Sequence, residues 1–219
     1  MGLPVWSADE TSARGPKKLL LLLYQYLFEL IALNVFFLLC CIPVVTIPFA
    51  VSALVKVLLS LCQGRGSHPL RAYWQTFFSF RRRVFAVGAP LEALEILLLW
   101  GLLIYLGASG GSPLFWLGCG VNAAALLLVI LVKFYAFPLL HSTRDTPRRI
   151  LLRAFCLALE KLPYSLAAFA AIAVIWILLV RNLQSAWILV FLLAFSLSYL
   201  IGTFCAAPWV GEPDGEGGA

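Results

Sequence analysis

The chain has 219 residues, of which 63% are hydrophobic and only 12% charged, and its mean hydropathy is +0.98. A soluble globular domain carries about 25% charged residues, so this composition excludes that class and predicts a protein of the lipid bilayer. The formal net charge of +6 indicates membrane topology and contact with anionic lipid headgroups rather than nucleic acid, because no separate basic domain is present.

Six apolar segments along the chain are each predicted to cross the bilayer as a helix. A helix rises about 1.5 Å per residue, so about 20 residues span a hydrocarbon core of about 30 Å. We therefore expect an all-α, polytopic membrane helix bundle over residues 19–207, between a cytoplasmic N-terminal arm (1–18) and a disordered, acidic, Gly-rich tail (208–219). The predicted spans are 19–42, 44–63, 84–106, 114–140, 163–180 and 187–207.

The turn between the first two spans is expected to be tight and irregular. Pro43 and Pro48 bracket the segment 44–47, and proline has no backbone N–H and a fixed φ angle. Because lipid offers no hydrogen-bond partners, the carbonyl groups freed at this turn must find partners within the protein.

The distribution of lysine and arginine predicts the orientation of the chain. Three basic residues precede the first span, five arginines separate the second and third spans, and four separate the fourth and fifth. The three connections on the opposite side contain a single basic residue, Arg181. Cytoplasmic loops carry such an excess of basic residues, so we expect a multi-pass protein of the cell (plasma) membrane with both termini and both basic loops in the cytoplasm.

Each basic loop is predicted to contain an amphipathic helix that lies on the cytoplasmic surface of the membrane. Large apolar residues recur at helical spacing after Pro69, and a similar pattern with three arginines off the apolar face follows Pro147. Arginine and aromatic side chains are enriched where proteins bind partners. The residues expected to contact a partner or lipid headgroups are Phe77, Phe78, Arg81, Arg82, Arg83, Arg148, Arg149 and Arg153.

A layer of polar and ionisable side chains is predicted inside the spans, with its ionisable members about 12–17 Å from the cytoplasmic face. Such side chains are costly in lipid unless they are paired or hydrated. The predicted layer consists of Glu29, Asn34, Lys56, Glu92, Glu95 and Lys133. Glu92 and Lys133 lie at matched depth on adjacent antiparallel spans, which predicts an ion pair, with Glu95 nearly one helical turn away.

Two interpretations of this layer stay open. The charges form a lock between helices, with lysines that also reach toward the membrane surface, or they line a polar cavity that opens to the cytoplasm and handles a solute or a proton. Asn34 is expected to hydrogen-bond across a helix interface.

The chain contains no pattern typical of an enzyme, a metal site or a cofactor site. Its six cysteines lack metal-ligand spacing and mostly lie in apolar runs, so they are interpreted as small hydrophobic residues. His68 and His141 are expected at the cytoplasmic ends of spans, facing solvent or headgroups. We therefore expect a protein with no catalytic residues, no metal and no cofactor.

Two sequence blocks carry a recognisable order and spacing. The first comprises Leu33-Asn34, Cys41-Ile42-Pro43-Val44-Val45-Thr46, Ala50 and Ala53-Leu54, and the second is Phe77-Phe78-Ser79-Phe80 before a basic cluster. Together they cover about residues 20–85 and resemble the YesL-type family of bacterial integral membrane proteins of unknown function; the remainder agrees in topology. The positions that match the family signature are Leu33, Asn34, Pro43, Thr46, Ala53 and Leu54.

Members of this family are often encoded near components of carbohydrate ABC transporters. The resemblance therefore implies a non-enzymatic accessory role associated with carbohydrate ABC transport, with the lipid bilayer and ABC transporter subunits as partners. The alternative is an autonomous small-solute or proton-coupled transporter that uses the intramembrane polar layer around a cytoplasm-facing cavity. The sequence leaves the oligomeric state open.

Overall fold

The computed structural model describes residues 16–43, 46–63, 68–79, 82–107, 113–181 and 194–210, and the protein is all-helical within these ranges. The predicted all-α class is confirmed. The helices are α1 (Pro16–Gln25), α2 (Leu27–Cys41), α3 (Ile47–Cys62), α4 (Pro69–Phe78), α5 (Arg82–Gly107), α6 (Pro113–Ser142), α7 (Pro147–Glu160), α8 (Leu162–Arg181) and α9 (Phe195–Val210).

Helices α5 and α6 are the elements best suited to a bilayer. Within the described ranges, α5 and the segment Phe115–Ser142 of α6 are each long and apolar enough to cross a membrane, and the bent pair of α7 and α8 is a third candidate. Helices α2, α3 and α9 are apolar but shorter. By length and composition, two or three of the described helices can span a membrane, so the structure supports membrane association.

The two long helices pack against each other in antiparallel orientation. Near one end, Arg83 of α5 contacts the loop after α6, and near the other end the rings of Tyr105 and Phe115 lie 5.1 Å apart. The outer face of α5 leaves Leu97, Trp100 and Ile104 more than 60% exposed. Because these residues recur at helical spacing, they form an apolar stripe that suits contact with lipid.

Helix α3 occupies the centre of the bundle. It packs against α2, α4, α5, α6 and α9, and nearly all of its residues are buried, as expected for a helix that is apolar on every side. At Gly88 of α5 the two backbones approach closely, since an added Cβ atom would lie 2.8 Å from Cβ of Pro48.

In the turn between α2 and α3, a side-chain hydroxyl supplies hydrogen bonds to backbone carbonyl groups. The hydroxyl of Thr46 donates to the carbonyl of Pro43 at 2.6 Å and also contacts the carbonyl of Cys40. Helix α3 then begins at Ile47 with Pro48 in its first turn. The predicted need for partners within the protein is thus met at Thr46, while residues 44 and 45 lie outside the described ranges.

The first predicted span is divided into two helices. Tyr26 separates α1 from α2 with φ −110° and ψ 23°, and no described side chain caps α2 at that point. The hydropathy of residues 19–42 predicted one continuous helix, because average hydropathy carries no information about a local change in backbone direction.

Helices begin at both loop prolines, as predicted. Pro69 starts α4 and Pro147 starts α7, each in the first turn where the absent N–H costs nothing. The axis of α7 meets that of α8 at 87°. Helix α7 therefore runs nearly perpendicular to the apolar helix that follows it.

The predicted terminal segments lie mostly outside the described ranges. Residues 1–15 of the arm are not described, whereas α1 already begins at Pro16. At the other end, α9 continues to Val210, two residues past the predicted start of the tail, and residues 211–219 are not described.

Candidate functional site

Three charged side chains meet between α5 and α6. Nζ of Lys133 lies 2.8 Å from Oε1 of Glu92 and also contacts a carboxylate oxygen of Glu95. The predicted ion pair between Glu92 and Lys133 is therefore present, and Glu95 joins it. We refer to Glu92, Glu95 and Lys133 as the charged triad.

The helices place the triad well inside the bundle. Glu92 and Glu95 are three residues apart, so they share one face of α5, and Lys133 faces them from the antiparallel α6. At about 1.5 Å per residue, Glu92 lies about 15 Å from the start of α5 at Arg82, and Lys133 lies about 13 Å from the end of α6 at Ser142. Both helices therefore bring their charges to the same depth.

The side chains of the triad are largely withdrawn from solvent. The side chain of Lys133 is 8% exposed, that of Glu92 is 14% exposed and that of Glu95 is 29% exposed. An isolated ammonium at such a position loses its hydration, and a close carboxylate compensates the loss. The Lys133 ammonium therefore relies on the neighbouring carboxylates to compensate its burial.

A fourth polar group lies against the triad from α9. The hydroxyl of Tyr199, a partly buried residue, interacts electrostatically with Lys133, Glu92 and Glu95. The Cys41 thiol at the end of α2 is close enough to act on both Glu92 and Tyr199. The triad thus stands at a junction of four helices.

The charge balance of the triad defines what it can do chemically. With both carboxylates ionised and the ammonium protonated, the three side chains carry one net negative charge. One ion pair between Lys133 and a single carboxylate is enough to join α5 to α6. The second carboxylate provides a place for one proton or one small cation.

The other members of the predicted polar layer do not join the triad. Asn34 is fully buried and accepts hydrogen bonds from the backbone N–H of Ser196 at 3.0 Å and from its hydroxyl at 3.2 Å. This contact joins α2 to α9, which confirms the interhelical role predicted for Asn34. Glu29 lies in the first turn of α2, close to Tyr26 and away from the triad.

Lys56, also predicted to lie in the layer, faces away from the triad. Lys56 is exposed, although its neighbours along α3 are almost all buried, and no ion pair joins it to any of the described residues. Depth along the chain places Lys56 near the level of the triad. Depth does not determine which face of the helix a residue occupies, and Lys56 lies on a face of α3 that points away from the bundle.

His141 and Ser52 form a partly buried contact that the sequence did not reveal. Nε2 of His141 lies 3.0 Å from the hydroxyl of Ser52 and 2.9 Å from its carbonyl oxygen. We expected His141 to face solvent or headgroups, and the structure instead turns the ring inward toward α3. The only sequence signal was a polar residue in each of two apolar helices, which does not define a pair.

Helix α4 divides its aromatic face between the bundle and the exterior. Phe77 is 8% exposed and Tyr73 is fully buried, and burial raises the pKa of the Tyr73 hydroxyl. Trp74 and Phe78 stack on each other with ring centroids 5.3 Å apart, and they are 36% and 65% exposed. Phe77 therefore packs inside the bundle, whereas contact with a partner or with lipid headgroups was predicted for it.

Of the three arginines after α4, only Arg82 is exposed within the described ranges. The Arg83 guanidinium donates to the carbonyl oxygens of Thr143 and Asp145 at 3.1 and 2.6 Å. It therefore fastens α5 to the loop after α6 instead of facing outward as predicted. Arg81 lies outside the described ranges.

Helix α7 presents its arginines to the exterior, as predicted. Arg148 and Arg149 are exposed, and Arg153 is 61% exposed with Nη1 at 2.7 Å from Oδ2 of Asp145. The opposite face of α7 buries a row of small and branched residues against the bundle: Ile150, Ala154 and Ala158.

The six positions that resemble the YesL-type signature lie in or beside the packing around the first turn. Leu33, Asn34, Ala53 and Leu54 are fully buried. Pro43 is exposed, and Thr46 makes the hydrogen bonds described above. Among the described residues, no three histidine, cysteine or acidic side chains meet in an arrangement that fits a metal ion.

Comparison of the chain with protein-family models, with curated proteins and with solved structures found no match in any of the three.

Proposed function

We propose that this chain is a non-enzymatic, multi-pass integral membrane protein of the YesL type that serves as an accessory component in carbohydrate ABC transport. In this proposal the two basic surface helices, α4 and α7, bind a cytoplasmic or membrane-embedded subunit of the transporter. The charged triad joins α5 to α6 and so stabilises the membrane domain to which α4 and α7 belong.

The proposed topology has six spans. Helices α1 and α2 together, α3, α5, α6, α8 and α9 would each cross the membrane, with both termini and both basic loops in the cytoplasm of a bacterial cell. The shorter helices α3 and α9 rise about 24 Å over 16 residues. Their burial among longer helices supports this assignment, because a helix surrounded by protein does not have to match the lipid thickness by itself.

The observation that carries the proposal is a set of exposed or partly exposed aromatic and arginine side chains on α4 and α7. The stacked pair of Trp74 and Phe78 is partly exposed on α4, and Arg148 and Arg149 are exposed on α7. Arginine and aromatic residues are the types most often found at the centre of protein interfaces. The 87° angle between α7 and α8 further supports a position of α7 along the membrane surface.

Affinity purification tests this proposal. The chain is isolated in mild detergent at its native expression level, and co-purifying proteins are identified by mass spectrometry against a mock control. We expect ABC permease or ATPase subunits in stoichiometric amounts, and we expect Arg148→Glu with Arg149→Glu to remove them. Arg181→Glu, at the other end of α8, is the matched control and should retain them.

Recovery of the chain without transporter subunits would contradict the proposal. So would equal recovery of those subunits with the α7 variant, provided that the variant reaches the membrane at the same level as the control.

A second candidate function is supported by the charge balance of the triad. An autonomous transporter of a small solute or a proton would use the second carboxylate as its binding group, open to the cytoplasm. Purified protein in liposomes should then move a solute or a proton, and Glu95→Gln should change that flux. Glu29→Gln, away from the triad, is the control, and an inert wild type across a broad panel of solutes would count against this candidate.

A further inference from the structure

A groove opens where the end of α6, the outer part of α7 and the end of α9 come together. Its volume is about 550 Å³. The floor includes the buried side chains of Leu139 and Val210, and the rim carries Arg153 and Glu160. The groove therefore combines an apolar floor with a charged rim.

The rim itself carries one charge of each sign, Arg153 and Glu160, and the excess of positive charge comes from the exposed arginines beside it on α7. The Arg153 guanidinium, which lines the groove, has five N–H donors and binds Asp145 through Nη1, so donors remain for a ligand. Nζ of Lys161 lies 4.1 Å from the ring centroid of Trp209 and 2.8 Å from a carboxylate oxygen of Glu160. Arg148 and Arg149 extend the positive charge along the same helix.

Aromatic side chains mark the level of the groove relative to the membrane. Trp209 lines it, and the ring of Tyr164 lies 6.4 Å from the Trp209 ring. Tryptophan and tyrosine are enriched at the boundary between lipid and water. The 87° turn from α7 into α8 occurs at this level, so the groove entrance lies where phospholipid headgroups are found if α8 crosses the membrane.

We propose that this groove binds one anionic phospholipid. Its phosphate is held by the free donors of Arg153, with Lys161 beside it, and the upper part of one acyl chain lies on Leu139 and Val210. Basic pockets between helices on the cytoplasmic side are typical sites for anionic headgroups. A free phosphate would leave the apolar floor uncovered, and an acidic peptide would gain nothing from the depth of the groove.

Native mass spectrometry of the purified full chain provides the test. Phosphatidylglycerol and phosphatidylcholine with the same acyl chains are titrated in mild detergent, and bound lipids are counted. We expect one phosphatidylglycerol to bind about tenfold more tightly than phosphatidylcholine, whose quaternary ammonium cancels the charge of its phosphate. Arg153→Gln should weaken phosphatidylglycerol binding about tenfold, since a charge-assisted hydrogen bond is worth at least a factor of ten.

Two further variants keep the test informative if Arg153→Gln disturbs the loop at Asp145. Cys156→Trp fills the groove from an exposed position and should weaken phosphatidylglycerol binding by about the same factor with Arg153 intact. Arg181→Gln removes an exposed cation elsewhere and should leave binding unchanged.

Equal affinity for the two lipids would overturn the proposal, as would wild-type binding by both groove variants. A protein partner that occupies the groove and is not displaced by phosphatidylglycerol would also overturn it, because the site would then belong to that protein.

Discussion

Removal of Lys133 is the most informative perturbation of the membrane domain. The variant Lys133→Met keeps the length of the side chain but deletes the ammonium that holds Glu92 and Glu95. Lys133 is 8% exposed and Glu92 is 14% exposed, so both groups belong to the class of buried pairs. Removing one partner of such a pair costs about 3–5 kcal/mol, because the other charge is left without compensation.

This cost converts into a large change in thermal stability. For a chain of 150–250 residues, 1 kcal/mol corresponds to about 2–4 °C in Tm, so Lys133→Met should lower Tm by about 6–20 °C. The measurement is unfolding of purified protein in mixed micelles, followed by tryptophan fluorescence. Lys56→Met is the matched control, because Lys56 is exposed and its replacement should change stability by no more than about 0.5 kcal/mol.

A compensated variant separates charge from packing. In Lys133→Met with Glu92→Gln and Glu95→Gln, no buried charge remains unpaired, so most of the lost stability should return. If Lys133→Met is as stable as Lys56→Met, the triad does not hold the helices together. If the triple variant stays as unstable as the single one, the loss comes from packing, and the electrostatic reasoning is refuted.

Three further changes test other contacts by the same unfolding assay. Gly88→Ala should destabilise by about 1–3 kcal/mol because the added carbon meets α3, whereas Gly120→Ala, with open space around it, should not; equal losses would refute the close approach. Phe77→Ala should cost about 3–5 kcal/mol and Phe78→Ala less than about 1 kcal/mol, and the reverse order would refute the assignment of the buried face. Asn34→Leu should cost about 1–2 kcal/mol through its unpaired partner groups, and an unchanged midpoint would contradict the interhelical bond.

Hydropathy predicted the long helices well because their limits are set by composition. The predicted segment 84–106 corresponds to α5 at Arg82–Gly107, and 114–140 corresponds to α6 at Pro113–Ser142. In both helices, runs of apolar residues end at glycine, proline or charged residues, which are local signals. The break at Tyr26 has no such signal, and it was missed.

The rotation of each helix about its axis was harder to predict than its length. Lys56 and Lys133 lie at similar distances before Pro69 and Pro147, yet Lys133 faces two carboxylates and Lys56 faces outward. Helices that are apolar on every side give no hydrophobic stripe from which a facing direction follows. The pairing of Glu92 with Lys133 was predictable because matched depth on consecutive antiparallel helices restricts the partners.

Contacts between helices distant in the sequence were not predictable from the residues alone. The contact between Ser52 and His141 joins residues that are 89 positions apart in the chain, and the contact between Asn34 and Ser196 joins residues that are 162 positions apart. A single polar residue in an apolar helix indicates that a partner exists. Which residue serves as that partner depends on the packing order of the helices, and the sequence does not contain that order in any local pattern.

The membrane topology is the central claim, and cysteine labelling of intact cells tests it most directly. In a variant without the native cysteines, single cysteines are placed at Gly66, Gly110 and Thr146 and treated with a membrane-impermeant maleimide. We predict that Gly110→Cys is labelled from outside the cell, and that Gly66→Cys and Thr146→Cys react only after the membrane is opened. Labelling of Gly110→Cys and Thr146→Cys from the same side would contradict the account, because α6 would then not cross the bilayer.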